Sequence, residues 1–445
     1  MMIGLHLVSK RRALVAAGCI AALTALLVAF DVTGQAGAAG PDVTVFSFTD
    51  VQSYGSADGF VGYAVGTVSC NRGDAPVNWC NTNGGCAPGA TTADHPAIAQ
   101  NLYRLKNGRF DQIGMSWLKH GFYSTNSVSS ACTGSTGQTC QTPPAGHAQL
   151  GVGCTDPYQA MLNGGQPLHR RSEVNATTGV FPYPGSVPPG PYTVYDERIK
   201  VATADVDPAQ NAGATYYAEG QYVAADDAAA GNGLNNASYR RVTVGSGSAS
   251  PPFPLTMTGA FFQQQPAINA WAAADPTVLQ VAVDVKDGTI AERYDVARKV
   301  TDLGGGVWHY EYAVHNLNSD RAARAFTVEF PNSTAFTNVG FEGIAHHSGE
   351  PYATDPWVSA STPNSLTWST DTFATNPNAH ALRWATLFNF WFDADQPPAS
   401  SIVHTLGLFT PADPPSIDFA MANELIKDSF ESGDLSLWSA AAAGN

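Results

Sequence analysis

The sequence predicts an all-β protein, in which a β-rich N-terminal region that carries disulfides precedes an antiparallel β-sandwich of immunoglobulin-like or jelly-roll-like form. Three observations support this prediction. Apolar and polar residues alternate over many short stretches, as strands with one buried face require. Turn-forming residues separate these stretches, and the 445 residues include 43 Gly and 29 Pro. Six of the seven cysteines lie between positions 70 and 154.

Residues 1–38 have the pattern of a signal peptide. Lys10, Arg11 and Arg12 precede an apolar run over 13–30, and the triplet 36–38 (Ala-Gly-Ala) matches the A-x-A cleavage pattern. Because this run is near the lower length limit of a membrane span, a retained anchor is the alternative. We therefore expect export to the cell envelope or the extracellular space, with no membrane insertion after cleavage.

The cysteines that follow the predicted signal peptide are even in number. Since cysteines of exported proteins are usually oxidised, they predict up to three disulfides. No C-x-x-C pair is present, which argues against a zinc site. Six cysteines allow about fifteen pairings, and we favour only a short-range bond between Cys132 and Cys140. The six predicted half-cystines are Cys70, Cys80, Cys86, Cys132, Cys140 and Cys154.

Charge and composition limit the partners of the chain. The formal net charge is −15, and only 13% of the residues are charged. An acidic chain repels nucleic acid and anionic lipid, so neither is an expected partner. A glycan or another cell-surface component is the partner class that remains.

A Gly-, Ser- and Pro-rich stretch over 245–256 predicts the main domain boundary. It separates a disulfide-bearing β-rich domain at 41–245 from a β-sandwich domain at 257–412, and a C-terminal tail follows at 423–445. Asn107-Gly108 marks a hairpin in the first domain, because this dipeptide favours a two-residue turn. In the second domain, the alternate positions Trp308, Tyr310, Tyr312 and Val314 predict one buried strand face.

Several phrases resemble a group of secreted bacterial proteins. They are HPAIAQNLYRLKNGRFDQIGMSWLKHGF, LGVGCTDPY, RSEVN, HYEYAVHNLNSDRA, HHSGEPY and ALRWATLFNFWFDAD, followed by a tail of the form FESGDLS-x-W. The resemblance covers most of the chain after the signal peptide. It implies export and a β-rich fold, and it implies no activity.

The segment GIAHHSGEPYATDPW at 343–357 is the first candidate site. It contains His346, His347, Glu350, Tyr352 and Trp357 among turn-forming residues, and binding residues are common in such loops. Adjacent histidines on an extended strand point to opposite faces, which disfavours one shared metal ion. We therefore predict a ligand-recognition loop with an exposed Trp357. The alternatives are an ordinary loop between strands with solvent-exposed histidines, and a metal or catalytic centre.

A second candidate joins SWLKHGFYS with HRRSEVN. His120 is a candidate general base, and Arg171 is a candidate cation for the carboxylate of an acidic sugar. Glu173 completes this predicted catalytic set, and Lys119 and Tyr123 flank His120. Such groups suit a polysaccharide lyase. The alternative is an ordinary strand end with a lysine that extends to solvent.

Two acidic loops could bind calcium, which prefers six to eight oxygen ligands from flexible segments. Neither loop matches the EF-hand pattern, and turns formed by Asp and Asn side chains are the alternative. Calcium is the one cofactor that the sequence suggests. The predicted ligands are Asp205, Asp207, Asn211, Asp226 and Asp227.

Taken together, these observations favour an exported, non-catalytic protein that binds a glycan or a surface partner. No G-x-S-x-G, P-loop or dinucleotide motif is present in the sequence. The alternative is a secreted polysaccharide-active enzyme, either a lyase or a glycoside hydrolase, so the sequence leaves open whether the chain is catalytic.

Overall fold

The computed structural model describes residues 38–80, 85–164, 168–186, 190, 192–287, 290–347 and 349–421. The predicted signal peptide and C-terminal tail lie outside these residues. Strands make up 46% of the described residues and helices 7%, which confirms the predicted all-β class. The described residues belong to one compact unit.

The first half of the chain forms an 11-stranded antiparallel sheet. The strands of this half are β1 (Val43–Ala57), β2 (Phe60–Asn71), β3 (Val77–Asn78), β4 (Ala97–Lys106), β5 (Arg109–Met115), β6 (Lys119–His120), β7 (Ser127–Val128), β8 (Gln149–Leu150), β9 (Cys154–Tyr158), β10 (Ile199–Ala202), β11 (Thr215–Val223), β12 (Ala237–Val244) and β13 (Leu255–Phe262). The central path of the sheet runs β13-β12-β11-β4-β5-β10-β2-β9-β7, while β1 pairs with β2 and β6 with β4. A separate pair joins β3 and β8.

Local sequence explains two connections of this sheet. Asn107 and Gly108 both have positive φ, at 53° and 83°, and they turn β4 into β5 as predicted. The predicted boundary at 245–256 instead contains the turn between β12 and β13, and these strands pair. The Gly- and Pro-rich composition therefore marks a hairpin loop here, and the first sheet extends to Phe262.

In the described ranges, three short α-helices and three 3₁₀ helices lie between strands. The α-helices are α1 (Thr203–Val206), α2 (Ala225–Ala229) and α3 (Asn269–Ala274), and the 3₁₀ helices are Gly146–Ala148, Ala160–Gly164 and Arg171–Glu173. Of the helices in the described part, none is long and apolar enough to cross a membrane.

The second half forms a sandwich of two five-stranded antiparallel sheets, β14-β15-β16-β21-β18 and β19-β20-β17-β22-β23. Tyr310 and Tyr312 of β16 and Phe390 of β21 meet Phe326 and Trp368 of the opposite sheet in one buried cluster. The predicted alternation in β16 thus corresponds to a buried face. The strands are β14 (Leu279–Asp287), β15 (Ile290–Gly304), β16 (Val307–Asn316), β17 (Ala323–Glu329), β18 (Phe336–Gly343), β19 (Val358–Ser361), β20 (Ser365–Ser369), β21 (Thr386–Ala394), β22 (Val403–Leu408) and β23 (Ser416–Ala420).

The outer face of the β15/β16/β21 sheet packs on the first sheet. Tyr103 and Phe110 form a buried cluster with Trp271 of α3, Ala313 and Leu387. The Asn389 side chain also donates a hydrogen bond to the Phe110 carbonyl at 2.9 Å. The two halves therefore share a core, and each covers apolar surface of the other.

The disulfides are Cys70–Cys132, Cys80–Cys86 and Cys140–Cys154. The predicted Cys132–Cys140 bond is wrong. Cys132 instead bonds to Cys70 on β2, and Cys140 bonds to Cys154 on β9. Because β2 pairs with β9, Cys70 and Cys154 lie close to each other in the sheet. Three disulfides are typical of an extracellular or otherwise oxidising compartment.

Candidate functional site

A surface cleft and a cluster of histidines, the two features of the fold that bear most on function, lie on either side of the two-residue strand β6. It pairs with β4, with Lys119 opposite Ile98 and His120 opposite Ala97. Because side chains alternate along a strand, Lys119 and His120 point to opposite faces. Lys119 lies beside a surface cleft, and His120 lies in a cluster of histidines.

The cleft has a volume of about 480 Å³, within the usual range for ligand pockets. Thr49 and Asp50 contribute to it from a bulge in β1, where the register with β2 shifts between Phe48 and Val51. Gly66 lies against these two side chains, and a Cβ there would lie 1.9 Å from Thr49 Oγ1 and 2.1 Å from Asp50 Oδ1. The remaining walls come from the end of β9 and the 3₁₀ helix after it. The lining residues are Thr49, Asp50, Pro157, Gln159 and Leu162.

Asp50 is held in place within the cleft. Its Oδ1 accepts hydrogen bonds from the Thr49 hydroxyl at 2.6 Å and from the Ala160 backbone amide at 2.9 Å. No partner of its second carboxylate oxygen is found among the described residues. One oxygen of Asp50 therefore fixes the side chain, and the other can accept a hydrogen bond from a ligand.

Lys119 is buried behind the cleft wall. Its Nζ donates to the Gln159 carbonyl at 3.3 Å and lies 5.3 Å from the centre of the Tyr158 ring. Burial lowers the pKa of Lys119 to about 7, and the nearby charge of Asp50 opposes this shift. The predicted solvent-exposed lysine is therefore wrong, because this side chain is covered by β9.

The histidine cluster lies on the other side of β6. His95 Nδ1 lies 2.8 Å from the Thr92 carbonyl, and His95 Nε2 lies 2.8 Å from His120 Nδ1. A carbonyl can only accept, so a neutral His95 carries its proton on Nδ1 and accepts on Nε2. His120 then donates from Nδ1, and its Nε2 keeps a lone pair.

His169 completes the cluster. An isolated bridge between His169 and Leu118 brings this segment beside β6, and the His169 and His120 ring centres are 4.5 Å apart. His120 Nε2 and His169 Nδ1 are both buried, and neither has a hydrogen-bond partner among the described residues. Burial lowers the pKa of His95 to about 4 and that of the other two below its ordinary value, so the imidazoles are neutral near pH 7. Phe122, Phe181 and Tyr183 pack around the rings.

Only part of the predicted catalytic set comes together. Glu173 lies near His169, because a Cβ on Gly185 would be 2.5 Å from Glu173 Oε2 and 3.1 Å from His169 Nδ1. Its Oε2 also accepts from the Ser186 amide at 2.8 Å. His120 and Glu173 therefore border the same cluster, with His169 between them.

Arg171 is enclosed in a separate polar network. Its guanidinium donates to the carbonyls of Ser116 and Gln100, at 2.7 and 2.8 Å, and to Asn101 Oδ1 at 3.0 Å. It also lies 3.4 Å from the Ala385 carbonyl of the second half. Burial lowers its pKa to about 10, so it remains charged at pH 7. Arg171 thus holds backbone segments together, and it is not positioned to bind an acidic substrate.

The loop containing His346 and His347 is also structural in its contacts. As expected from their adjacency, the two rings diverge, with His346 against Tyr352 and His380. His347 Nε2 is hydrogen-bonded to the carbonyl of Arg198 at 3.0 Å. Through these contacts, the two histidine rings hold the loop against the rest of the protein.

Glu350, Tyr352 and Trp357 also contact other parts of the protein. Glu350 accepts hydrogen bonds from the backbone amides at the start of the 3₁₀ helix Arg171–Glu173. The guanidinium of Arg383 lies 4.0 Å from the centre of the Tyr352 ring. The predicted exposure of Trp357 is wrong, since it is 5% exposed and stacks on Phe341.

The predicted calcium ligands make other contacts. Arg104 Nη1 donates to Asp205 and Asn211, both at 3.0 Å, while Asp207 accepts from the Ala209 amide within a turn. Asp226 accepts a hydrogen bond from the backbone amide of Asn78 at 2.6 Å, and Asp227 accepts one from that of Val43 at 2.8 Å.

In the part of the chain that the structure describes, no group of three or more His, Cys, Asp or Glu residues is arranged to hold a metal ion. Calcium binding stays a prediction.

Several residues of these two features were missed in the sequence. His95 and His120 are 25 residues apart, so no local spacing links them. Asp50 and Thr49 occur in an ordinary strand pattern, and only the bulge turns them towards the cleft. The nearest sequence signals were the His-Pro pair at 95–96 and the histidine that opens HRRSEVN.

Comparisons with known proteins add little to this geometry. No family model matches the chain. No curated protein matches it. Among solved structures, it is similar to one of the exo-β-D-glucosaminidase CsxA from a study of its inhibition by castanospermine and australine analogues. The identity is 9%, the TM-score 0.14, and the match covers 83% of this chain but 26% of that one. The chain thus spans about a quarter of that enzyme's length, and a similarity of this size carries no argument about function.

Proposed function

We propose that this chain is an exported protein that binds a glycan in the cleft beside β6 without turning it over. The observation that carries the proposal is the cleft itself, which combines Asp50, Thr49 and Gln159 with the apolar side chains of Pro157 and Leu162. The disulfides and the signal-peptide pattern support export.

The lining suits a sugar ring because such a ring has hydroxyl groups at its edge and C–H groups on its faces. The second oxygen of Asp50 can accept from a hydroxyl, and Thr49 and Gln159 can both donate and accept. Leu162 is 42% exposed, so it offers apolar contact to the ring face without any rearrangement.

The number of carboxylates in the cleft supports binding without turnover. Glycoside hydrolysis usually needs two carboxyl groups on either side of the scissile bond. Asp50 is the single carboxylate among the described residues that line the cleft, and one of its oxygens is committed to Thr49 and Ala160.

A glycan array followed by titration calorimetry tests the proposal. We expect the wild-type protein to bind at least one glycan. Asp50→Asn should weaken that binding by about 10-fold or more, as loss of one charge-assisted hydrogen bond predicts. Leu162→Ala should weaken it by about 10-fold through loss of apolar contact with the sugar ring. Asp371→Asn removes the same charge from an exposed position away from the cleft lining and should bind like wild type.

Two results would reject the proposal. One is the absence of array binding by correctly oxidised protein, and the other is binding that neither cleft substitution changes. Release of shorter saccharides from a bound glycan would instead support the alternative of a polysaccharide-active enzyme.

A further inference from the structure

We propose that the histidine cluster binds one transition-metal ion of the zinc and copper class, with His120 Nε2 and His169 Nδ1 as its protein ligands. Nothing in the glycan proposal requires this site, because His120 and Lys119 point to opposite faces of β6. The two proposals can therefore fail independently.

The two unpaired nitrogen atoms are the first observation. Both His120 and His169 are 7% exposed, and each has one buried ring nitrogen for which the described part of the chain offers no partner. A buried polar atom without a hydrogen bond costs about 1–3 kcal/mol, and its presence calls for an occupant such as an ion or a water molecule. Here two such atoms lie on rings whose centres are 4.5 Å apart.

The hydrogen bonds behind His120 are the second observation. A histidine that binds a metal usually donates its other ring N–H to a fixed acceptor, which sets the tautomer and the ring orientation. His120 donates from Nδ1 to His95, and His95 in turn donates to the Thr92 carbonyl. These two hydrogen bonds fix the orientation of the His120 ring, so that the lone pair on its Nε2 has a fixed direction and can bind a metal ion.

The donor set determines the class of metal. Neutral imidazole suits zinc, copper and nickel, whereas calcium and magnesium prefer oxygen ligands. No third protein ligand is in place among the described residues. Solvent molecules would therefore complete the coordination, and Glu173 lies close enough to His169 to hold one of them. Copper(II) should bind most tightly, following the general order of divalent-ion affinities.

The experiment uses the untagged, oxidised full chain after treatment with a chelator. Copper(II) and zinc(II) are titrated separately by calorimetry, and the copper-loaded protein is examined by electron paramagnetic resonance. We expect one copper(II) ion per chain, with hyperfine coupling to two imidazole nitrogens. His169→Gln should weaken the binding by about 100-fold or more, because loss of a direct ligand should cost at least as much as loss of a residue that supports a ligand, which typically costs about 10- to 100-fold.

His147→Gln is the matched control. His147 is an exposed histidine that stacks on Tyr123 outside the cluster, and its removal should leave copper binding unchanged. If His169→Gln does not fold, the number of nitrogens coupled to copper in the wild-type protein still decides the question.

Three outcomes would overturn the proposal. They are the absence of stoichiometric copper or zinc binding, unchanged binding in a folded His169→Gln variant, and loss of binding in His147→Gln. The first of these would point to a buried water molecule that donates to both nitrogens.

Discussion

Arg171→Met should lower the free energy of unfolding, because buried oxygen acceptors would lose their donor. Arg171 is 3% exposed, and its guanidinium donates to the carbonyls of Ser116 and Gln100 and to the side chain of Asn101. The Ala385 carbonyl, 3.4 Å from the guanidinium, also accepts from the Asn101 side chain. Methionine fills much of the same volume and offers no donor. The change therefore removes the hydrogen bonds and leaves the packing largely intact.

The expected loss follows from two opposing effects. Each buried acceptor left unpaired costs about 1–3 kcal/mol. Against this, Arg171 stays charged inside the protein, since its pKa remains near 10 despite burial, and burying a charge costs free energy. Methionine carries no charge and avoids this cost. Since Gln100 keeps a second donor in the Ser116 amide, we expect a net loss of about 3–5 kcal/mol in the free energy of unfolding.

Urea unfolding, followed by tryptophan fluorescence and circular dichroism, measures this loss. Arg241→Met is the control, because Arg241 is exposed on β12 and its loss should change the free energy of unfolding by less than about 0.5 kcal/mol. The reasoning is refuted if Arg171→Met lies within about 1 kcal/mol of wild type. An Arg171→Met protein that keeps its stability but loses binding of an acidic saccharide would restore the catalytic interpretation.

Three further predictions concern the core and the disulfides. Trp357→Ala should destabilise the fold by about 3–5 kcal/mol in urea unfolding, whereas Val358→Ala at the next, 73% exposed position should have little effect; equal effects would contradict the burial of Trp357. Burial lowers the pKa of His404 to about 3, below the value of about 6.5 in the unfolded chain, so His404 stabilises the fold fully above pH 6.5 and progressively less as the pH falls towards 3. From pH 7 to pH 5, the free energy of unfolding should therefore fall by about 2 kcal/mol more in the wild type than in His404→Phe. Urea unfolding measures this difference, and an equal fall in both proteins would contradict the prediction. Peptide mapping of the oxidised protein should recover the Cys140–Cys154 bond, and recovery of Cys132–Cys140 would contradict the structure.

Short-range patterns were sufficient to predict much of the fold. The alternation of Tyr310, Tyr312 and Val314 identified a buried strand face, since side-chain direction depends only on position in the strand. Asn107-Gly108 identified its hairpin because both residues tolerate a positive φ. The boundary at 245–256 failed because a flexible hairpin loop and a domain linker have the same composition.

The site was harder to predict because it depends on contacts between distant segments. Trp357 follows a run of turn-forming residues, and nothing local shows that Phe341 covers it. Arg171 has the residue type of a substrate-binding cation, and only the tertiary structure shows that its donors are already used. His120 was identified, but its partners His95 and His169 come from other parts of the chain.

The Cys140–Cys154 disulfide is attached to the strand that forms one wall of the cleft. Cys154 is the first residue of β9, and the same strand carries Pro157 at the cleft wall and Tyr158 against Lys119. Closing a loop of 14 residues in the unfolded chain contributes about 3 kcal/mol to stability. A newly synthesised, reduced chain would therefore hold β9 less firmly. If the cleft binds a glycan as proposed, we expect its affinity to be highest after oxidation, so that ligand capture inside a reducing cell is disfavoured.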